Sequence, residues 1–150
     1  MPTIGPLTVS QQGYGAMGLS STYGPAEDAE SLKTLHRAMD LGITFFDTAT
    51  AYGLGHNETL VGQAITARRK SLVIASKFTH RPAAGGDRVR PRQAIEASLK
   101  RLGLDHIDLY YLHRVDQEIP IEDSVGELGR AQDAGLIGAC LLYTSPSPRD

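Results

Sequence analysis

The sequence predicts an α/β fold in which parallel strands alternate with helices. Short apolar runs rich in β-branched and aromatic residues alternate along the chain with longer segments whose apolar residues recur at helical spacing. Strands joined in this way form right-handed βαβ units and a parallel sheet. The chain has 150 residues, 41% of them hydrophobic, which is enough for one domain with a buried core.

The first unit follows a glycine-rich opening. Residues 10–19 carry too many glycines for an ordinary central strand, and glycine at such a place indicates that another group approaches the backbone closely. Acidic residues within 27–30 predict the start of a helix, and Gly42 is placed to end it. A strand over 43–47 follows, and then a turn of small residues that leads to Tyr52.

The next units repeat this alternation. We expect the second helix to begin near Asn57, a favourable N-cap residue. Residues 72–76 form a continuous apolar run that is typical of a buried parallel strand, and this strand is expected to end at Lys77. Pro91 suits the first position of the third helix, and Gly103 follows the last apolar residue of that helix.

The last of about four β/α units has the weakest helical signal. A strand over 107–112 is expected to end at His113. The helix after it places Ile121, Val125 and Leu128 on one face. Two glycines within that helix each lower its intrinsic stability by about 1 kcal/mol relative to alanine.

Composition excludes several classes of function. A formal net charge of −2 provides no basic surface for nucleic acid. No stretch reaches the ~20 apolar residues of a membrane-spanning helix, and the amino-terminal residues do not form a secretory signal. The single cysteine, Cys140, rules out an intrachain disulfide framework, and the histidines lack metal-ligand spacing. We therefore expect a cytoplasmic chain with no metal and no membrane partner, whose oligomeric state stays open.

Three ionisable residues share one topological position. Asp47, Lys77 and His113 each stand at the carboxyl end of a predicted strand, in successive units. Each has an ordinary explanation when taken alone, such as a cap or a solvated strand end. Because the carboxyl ends of parallel strands lie at the same edge of a sheet, we expect these side chains to converge with Tyr52 from the adjoining turn.

These four side chains suit the chemistry of a carbonyl group. A tyrosine phenol holds its proton at neutral pH and can donate it, while a nearby ammonium such as that of Lys77 favours the phenolate that results. Asp47 would hold the ammonium in place, and a neutral His113 would donate a hydrogen bond to the carbonyl oxygen. The site has no electron source, so it fits carbonyl reduction if a nicotinamide supplies hydride.

The glycines at 13, 15 and 18 satisfy the GxGxxG spacing of a dinucleotide-binding loop. No strand is evident before them, and no helix opens directly after Gly18. The sequence therefore does not favour a Rossmann-type loop here.

The chain resembles the N-terminal half of an aldo-keto reductase, in the multi-membered bacterial and fungal branches of that family. The resemblance covers roughly residues 13–138 and rests on an ordered set of segments. These are Gly15-Ala16-Met17-Gly18, Phe46-Asp47-Thr48-Ala49 with Tyr52-Gly53, His56-Asn57-Glu58, Ser76-Lys77, and Leu104-Asp105-His106-Ile107-Asp108-Leu109-Tyr110-Tyr111-Leu112-His113-Arg114.

The resemblance implies a (β/α)8 TIM barrel and reduction of an aldehyde or ketone by NADPH or NADH, with no metal. It implies Tyr52 as the proton donor, Lys77 and Asp47 as the pair that tunes it, and His113 as the residue that orients the carbonyl. It also implies that the nicotinamide end of the cofactor lies near a small set of residues. These are Gly15, Met17, Gly18 and Asp47.

A closed barrel of this kind takes about 250 residues or more, so we expect an incomplete barrel. The resemblance implies that the C-terminal half supplies the contacts to adenosine and to the 2′-phosphate. We therefore expect the chain by itself to be inactive. The loops that would identify the carbonyl substrate are also expected in that half.

The end of the chain departs from the family pattern. Residues 1–138 are assigned to the partial reductase domain, whereas 139–150 resemble translated sequencing-adapter read-through and are expected to be non-native. A phosphorylatable Ser-Pro tail is the alternative interpretation of that segment.

Two other functions fit the same fold. A Schiff-base aldolase or related lyase would use Lys77 as its nucleophile. A non-catalytic subunit would keep the reductase fold in order to bind the cofactor, and measurement of turnover would separate it from an enzyme.

Overall fold

Five parallel strands form the centre of the fold in this computed structural model, which describes residues 1–20, 24–82 and 84–142. A small antiparallel hairpin of β1 (Thr3–Ile4) and β2 (Leu7–Thr8) precedes them. The sheet strands are β3 (Gly13–Gly15), β4 (Phe45–Asp47), β5 (Val73–Thr79), β6 (Ile107–Arg114) and β7 (Ile137–Leu142).

A helix connects each sheet strand to the next. The helices are α1 (Asp28–Asp40), α2 (His56–Ile65), α3 (Pro91–Leu102) and α4 (Ile121–Asp133). Each strand pairs with its successor in the chain, in the order β3-β4-β5-β6-β7. The strand order therefore does not reverse, which distinguishes this sheet from a doubly wound one and agrees with an arc of a β/α barrel. No helix in the described part of the chain has the length and apolar character needed to cross a membrane.

The sheet has two different faces. One face packs on the helices, and its side chains form the core, each at most 1% exposed: Phe46, Ile74, Phe78, Tyr110 and Leu112. A fully buried aliphatic or aromatic side chain of this kind contributes about 1.5–3 kcal/mol relative to an exposed one. The opposite face carries Asp47, Lys77 and Tyr111, together with Leu141, which is 41% exposed. Because paired residues in neighbouring strands point to the same side, the ionisable residues share this less covered face.

Strands β5 and β6 extend past the ends that the sequence predicts. Lys77 pairs with Tyr111 and Phe78 pairs with Leu112, so the ladder continues to Thr79, where its register shifts. Lys77 is thus held within a strand rather than at its last residue. The β4 strand is shorter than predicted and begins at Phe45, since the preceding residues are not in the ladder.

The prediction that Asn57 caps the second helix is wrong. Helix α2 begins one residue earlier, at His56, and the residue before it is Gly55 in the left-handed conformation, with φ of 91°. The Asn57 side chain is fully buried and bonds to other segments, as described below. The predicted start of α3 at Pro91 and the left-handed Gly103 at its end are confirmed.

The glycine-rich opening forms only a three-residue strand at the edge of the described sheet, in agreement with the prediction that it is not an ordinary central strand. A Cβ added to Gly13 would lie 2.6 Å from Cδ1 of Phe45 in the neighbouring strand. At Gly13, the group that lies close to the glycine backbone is therefore the Phe45 side chain of β4. In α4, Leu128 is buried as expected, whereas Val125 is 39% exposed and Ala131 takes its place on the buried face.

The segment predicted to be non-native begins inside the sheet. Residues 139–142 belong to β7 and pair with β6, while residues 143–150 lie outside the described residues. That 139–150 does not belong to the natural protein stays a prediction.

Candidate active site

Lys77 is the centre of a polar cluster at the carboxyl edge of the sheet. Its Nζ donates hydrogen bonds to the carboxylate of Asp47, to the main-chain oxygen of Thr48 at 2.8 Å and to the phenol oxygen of Tyr52 at 3.3 Å. Lys77 is only 7% exposed. A nearly buried ammonium directed at three oxygens is well fixed in position, because each of its three protons has an acceptor.

The loop after β4 brings Tyr52 to this cluster. Backbone hydrogen bonds hold the loop beside β5, from the N–H of Thr48 to Ala75 at 2.9 Å and from the N–H of Thr50 to Lys77 at 3.0 Å. A 3-10 turn, Tyr52–Gly55, then begins, and the Lys77 Nζ lies 4.9 Å from the centre of the Tyr52 ring. The phenol is thus presented half-buried above the end of β5.

His113 completes the group from the neighbouring strand. Its ring meets the Tyr52 ring edge-on, with centroids 6.1 Å apart and planes at 90°. Its Nδ1 is buried and has no hydrogen-bond partner among the described residues. Burial, reinforced by the positive charges of Lys77 and Arg114, lowers the pKa of His113 below its ordinary value. At neutral pH the imidazole is therefore uncharged and has one N–H to donate.

Two other pKa values reflect burial around Lys77. Burial raises the pKa of Asp47, and the ammonium of Lys77 opposes this rise. Burial together with the charge of Asp47 raises the pKa of Tyr111 to about 12. The Tyr111 ring centre lies 5.6 Å from the Lys77 Nζ, so a second tyrosine is close to the ammonium. No sequence pattern distinguishes Tyr111 as a site residue, because its position opposite Lys77 is set by the β5–β6 register of the sheet.

A cavity of about 560 Å³ opens beside His113. Its lining comes from the ends of β5 and β6 and from the loops after β4, β5 and β6: Ala51, Thr79, His80, Arg81, His113, Arg114, Val115, Asp116, Gln117 and Glu118. Two arginines, Arg81 and Arg88, form ion pairs with Asp116 and Glu118 and so join the loops at its rim. The cavity is large enough for a small organic molecule next to the imidazole.

The residues predicted to contact a cofactor lie on the β3 side of Asp47, whereas Lys77 lies on its β5 side. Gly15 pairs directly with Asp47 in the sheet, and Met17 and Gly18 belong to the 3-10 turn Ala16–Ser20 that follows β3. Gly15 and Gly18 are exposed, and no atom lies within 4 Å of the Cβ position at Gly15. This open backbone beside a carboxylate fits the approach of a flat ring such as nicotinamide.

The described residues contain no group of three or more His, Cys, Asp or Glu side chains arranged as a metal site. The polar atoms at the edge of the sheet are instead a phenol, an ammonium, a carboxylate and an imidazole. A β/α barrel arc with its acid–base groups at the carboxyl ends of the strands is the class of protein that this fold and site define.

The chain belongs to the aldo/keto reductase family, whose sequence model matches residues 12–140. It is 41% identical over 143 residues to the aldo-keto reductase yakc [NADP(+)] of Schizosaccharomyces pombe, an alignment that covers 89% of this chain and 42% of that protein.

Solved structures of similar proteins agree with the family. The glycerol dehydrogenase AKR11B4 of Gluconobacter oxydans superposes with a TM-score of 0.79 at 31% identity, covering 94% of this chain and 46% of that one. An aldo-keto reductase of Klebsiella pneumoniae in complex with NADPH superposes with a TM-score of 0.75 at 30% identity, covering 92% of this chain and 46% of that one. The chain thus spans about half the length of these relatives and forms part of a TIM barrel.

Proposed function

We propose that the protein containing this chain reduces an aldehyde or ketone to an alcohol at the expense of NADPH. The observation that carries the proposal is the set of hydrogen bonds from Lys77 to Asp47 and Tyr52, with the ring of His113 next to the phenol. Two relatives support the choice of cofactor, since one is named as NADP(+)-dependent and another was solved with NADPH.

In the proposed reaction, Tyr52 donates its proton to the carbonyl oxygen as that oxygen gains negative charge. The ammonium of Lys77 stabilises the phenolate that forms, and Asp47 keeps the ammonium in place. His113 donates a hydrogen bond to the same carbonyl oxygen and holds it beside the phenol. Bound nicotinamide would supply the hydride that the carbonyl carbon accepts. A proton from solvent then restores Tyr52, so the overall change is addition of two hydrogens to the carbonyl bond.

The cofactor would be held where the backbone is open. Gly15, Met17 and Gly18 border this space, and Asp47 stands between it and Lys77. The cavity beside His113 would admit the carbonyl substrate. We propose that the second half of the barrel, expected from the length of the relatives, covers the less buried face of the sheet. The present chain alone would then be inactive.

The proposal is tested by Tyr52→Phe in the full-length protein. We expect carbonyl reduction, measured with a panel of aldehydes and ketones, to fall by about 10²–10⁴-fold because the proton donor is lost. The affinity for NADPH, measured by fluorescence titration, should stay close to that of the wild type. Tyr111→Phe is the matched control, since it removes the other phenol near Lys77 and should change turnover little.

Near-normal reduction by Tyr52→Phe would remove Tyr52 from the role of proton donor. A large loss in Tyr111→Phe together with near-normal reduction by Tyr52→Phe would mean that the proton comes from Tyr111 instead. A wild-type protein that binds NADPH but reduces none of the carbonyls would support the non-catalytic subunit. Borohydride trapping of a substrate on Lys77 would support the aldolase, although three donated hydrogen bonds require an ammonium rather than the free amine that a Schiff base needs.

A further inference from the structure

We infer that Asn57 is a positioning residue that holds the cofactor-side turn Ala16–Ser20 and the Lys77 ammonium in a fixed relation to each other. The inference rests on the proposed function, because it takes this turn as part of the nicotinamide site and Lys77 as part of the acid–base pair. It concerns a residue that touches neither the substrate cavity nor the Tyr52 phenol.

The Asn57 side chain uses all of its hydrogen-bonding groups across two segments. It is fully buried. Its Nδ2 donates to the main-chain oxygen of Ala16 at 2.8 Å and to the hydroxyl of Ser20 at 2.7 Å, which are the two ends of the turn. Its Oδ1 accepts a hydrogen bond from the hydroxyl of Thr48 at 2.6 Å. One amide therefore joins the turn after β3 to the loop after β4.

Thr48 extends this connection to the ammonium. Its hydroxyl bonds to Asn57, whereas its main-chain oxygen accepts a hydrogen bond from the Lys77 Nζ at 2.8 Å. Thr48 is itself fully buried. Water therefore does not compete for these bonds, and the chain from the turn through Asn57 and Thr48 to Lys77 is continuous.

A simpler interpretation is that Asn57 only docks helix α2 on the sheet. The next residue, Glu58, already does this: its carboxylate accepts hydrogen bonds from Ser76 at 2.5 Å and from Arg101 at 2.6 Å. These bonds reach β5 and α3, not the turn after β3. The first turn of α2 therefore has two anchors, and only the one at Asn57 connects the two functional segments.

The chemistry of an amide is required at this position. An aspartate has nearly the same shape, but its carboxylate has no N–H to donate and would face the Ala16 carbonyl oxygen with like charge. The bond from Thr48 would survive in Asn57→Asp, because a carboxylate still accepts it. This variant therefore breaks the bond to Ala16 and keeps the contact to the loop after β4, while the Ser20 hydroxyl can donate to the carboxylate.

The experiment compares Asn57→Asp with Glu58→Gln in the full-length protein. NADPH affinity is measured by fluorescence titration, kcat with the best carbonyl substrate, and Tm by thermal unfolding. We expect Asn57→Asp to weaken NADPH binding by about tenfold or more, since the buried donor to Ala16 is lost and a carboxylate then faces that carbonyl oxygen. Glu58→Gln should lower Tm but leave NADPH affinity close to that of the wild type. Wild-type affinity in folded Asn57→Asp would overturn the inference.

A second variant tests the link if Asn57→Asp does not fold. Thr48→Val keeps both bonds from Asn57 to the turn and the main-chain bond from Thr48 to Lys77, and it removes only the hydroxyl bond between Thr48 and Asn57. We expect it to lower kcat, with a smaller effect on NADPH affinity. Loss of affinity with kcat unchanged, or no change in either, would overturn the inference. The conservative Thr48→Ser, which retains the hydroxyl, should restore kcat.

Different results would contradict the proposed carbonyl reduction and the proposed role of Asn57. If the wild-type protein binds NADPH but reduces no carbonyl, the proposed reaction is wrong, while the affinities of Asn57→Asp and Glu58→Gln still decide the role of Asn57. If the wild-type protein does not bind NADPH at all, both proposals are contradicted.

Discussion

Two buried ionic clusters lie on opposite sides of β5. The neighbouring residues Ser76 and Lys77 each belong to one of them. On the helix side, Ser76 donates to Glu58, whose second oxygen is bound by Arg101. On the other side, Lys77 is bound to Asp47. Both clusters pair one acidic with one basic residue, and both contain a charged group that is almost or fully buried.

The two clusters differ in whether their polar atoms still lack hydrogen-bond partners. On the helix side, each oxygen of the Glu58 carboxylate has a donor, Ser76 or Arg101, so the hydrogen bonds of the buried carboxylate are closed within the cluster. On the Lys77 side, the phenol of Tyr52 is half-buried, Nδ1 of His113 has no partner in the described part of the chain, and a cavity opens beside it. A closed cluster stabilises the fold, whereas one with free hydrogen-bonding capacity can act on a ligand.

The difference between the Lys77 cluster and the Glu58 cluster is tested first by Lys77→Met in the full-length protein, for which we expect the largest effect. Carbonyl reduction should fall by about 10²-fold or more, because the group that stabilises the phenolate is lost. The adjacent Ser76→Ala is the matched control: it loses one hydrogen bond to the Glu58 carboxylate, about 1.5–3 kcal/mol of stability, and should turn over substrate near the wild-type rate. Steady-state kinetics and urea unfolding measure the two quantities. Equal losses of activity would contradict the division into two clusters.

The helix-side cluster is tested by Arg101→Met. Glu58 is fully buried, so removal of its cationic partner should lower the free energy of unfolding by about 3–5 kcal/mol. The double variant Glu58→Gln with Arg101→Met should recover part of that loss, since no uncompensated charge is then buried. Denaturant unfolding of the single and double variants measures both. A double variant less stable than Arg101→Met would show that the buried charge is not the cause.

A smaller change concerns the packing of α2 against α3, which brings Glu58 and Arg101 together. A Cβ at Gly62 would overlap the main-chain oxygen of Leu102, which cannot move away as a flexible side chain could. Gly62→Ala should therefore lower the free energy of unfolding by about 1–3 kcal/mol. Gly129→Ala is the control, because nothing lies within 4 Å of its Cβ position within α4. That substitution should be neutral or stabilising by up to about 1 kcal/mol.

The smallest expected effect is a shift in the titration of His113. Because burial, Lys77 and Arg114 lower its pKa, the folded chain binds fewer protons at His113 than the unfolded chain does. The corresponding stability is complete above the unfolded pKa of about 6.5 and is lost as the pH falls through the folded pKa. Lys77→Met should raise the pKa of His113, and Arg114→Gln should raise it less. NMR titration of the imidazole measures both shifts, and a larger shift in Arg114→Gln would contradict the order.

Sequence patterns predicted the alternation of strands and helices because burial imposes a period on each element. The apolar residues of α1 and α2 that recur at helical spacing are buried, among them Leu35, Met39, Leu60, Val61, Ala64 and Ile65. The pattern did not show that Val125 faces solvent, because that depends on how α4 lies against β7. It also did not show the strand at Gly13, since the close contact with Phe45 exists only once the two strands pair.

The sequence by itself determined that Asp47, Tyr52, Lys77 and His113 lie near the carboxyl ends of successive strands, because strand and helix periods are local properties of the chain. Only the tertiary structure decided which atoms meet: that Lys77 uses the Thr48 carbonyl, that Tyr111 lies across the β5–β6 register, and that Asn57 bonds back to the turn after β3. Those contacts depend on how segments distant in the chain are oriented when they pack. The spacing of apolar residues within one strand or helix does not determine that orientation.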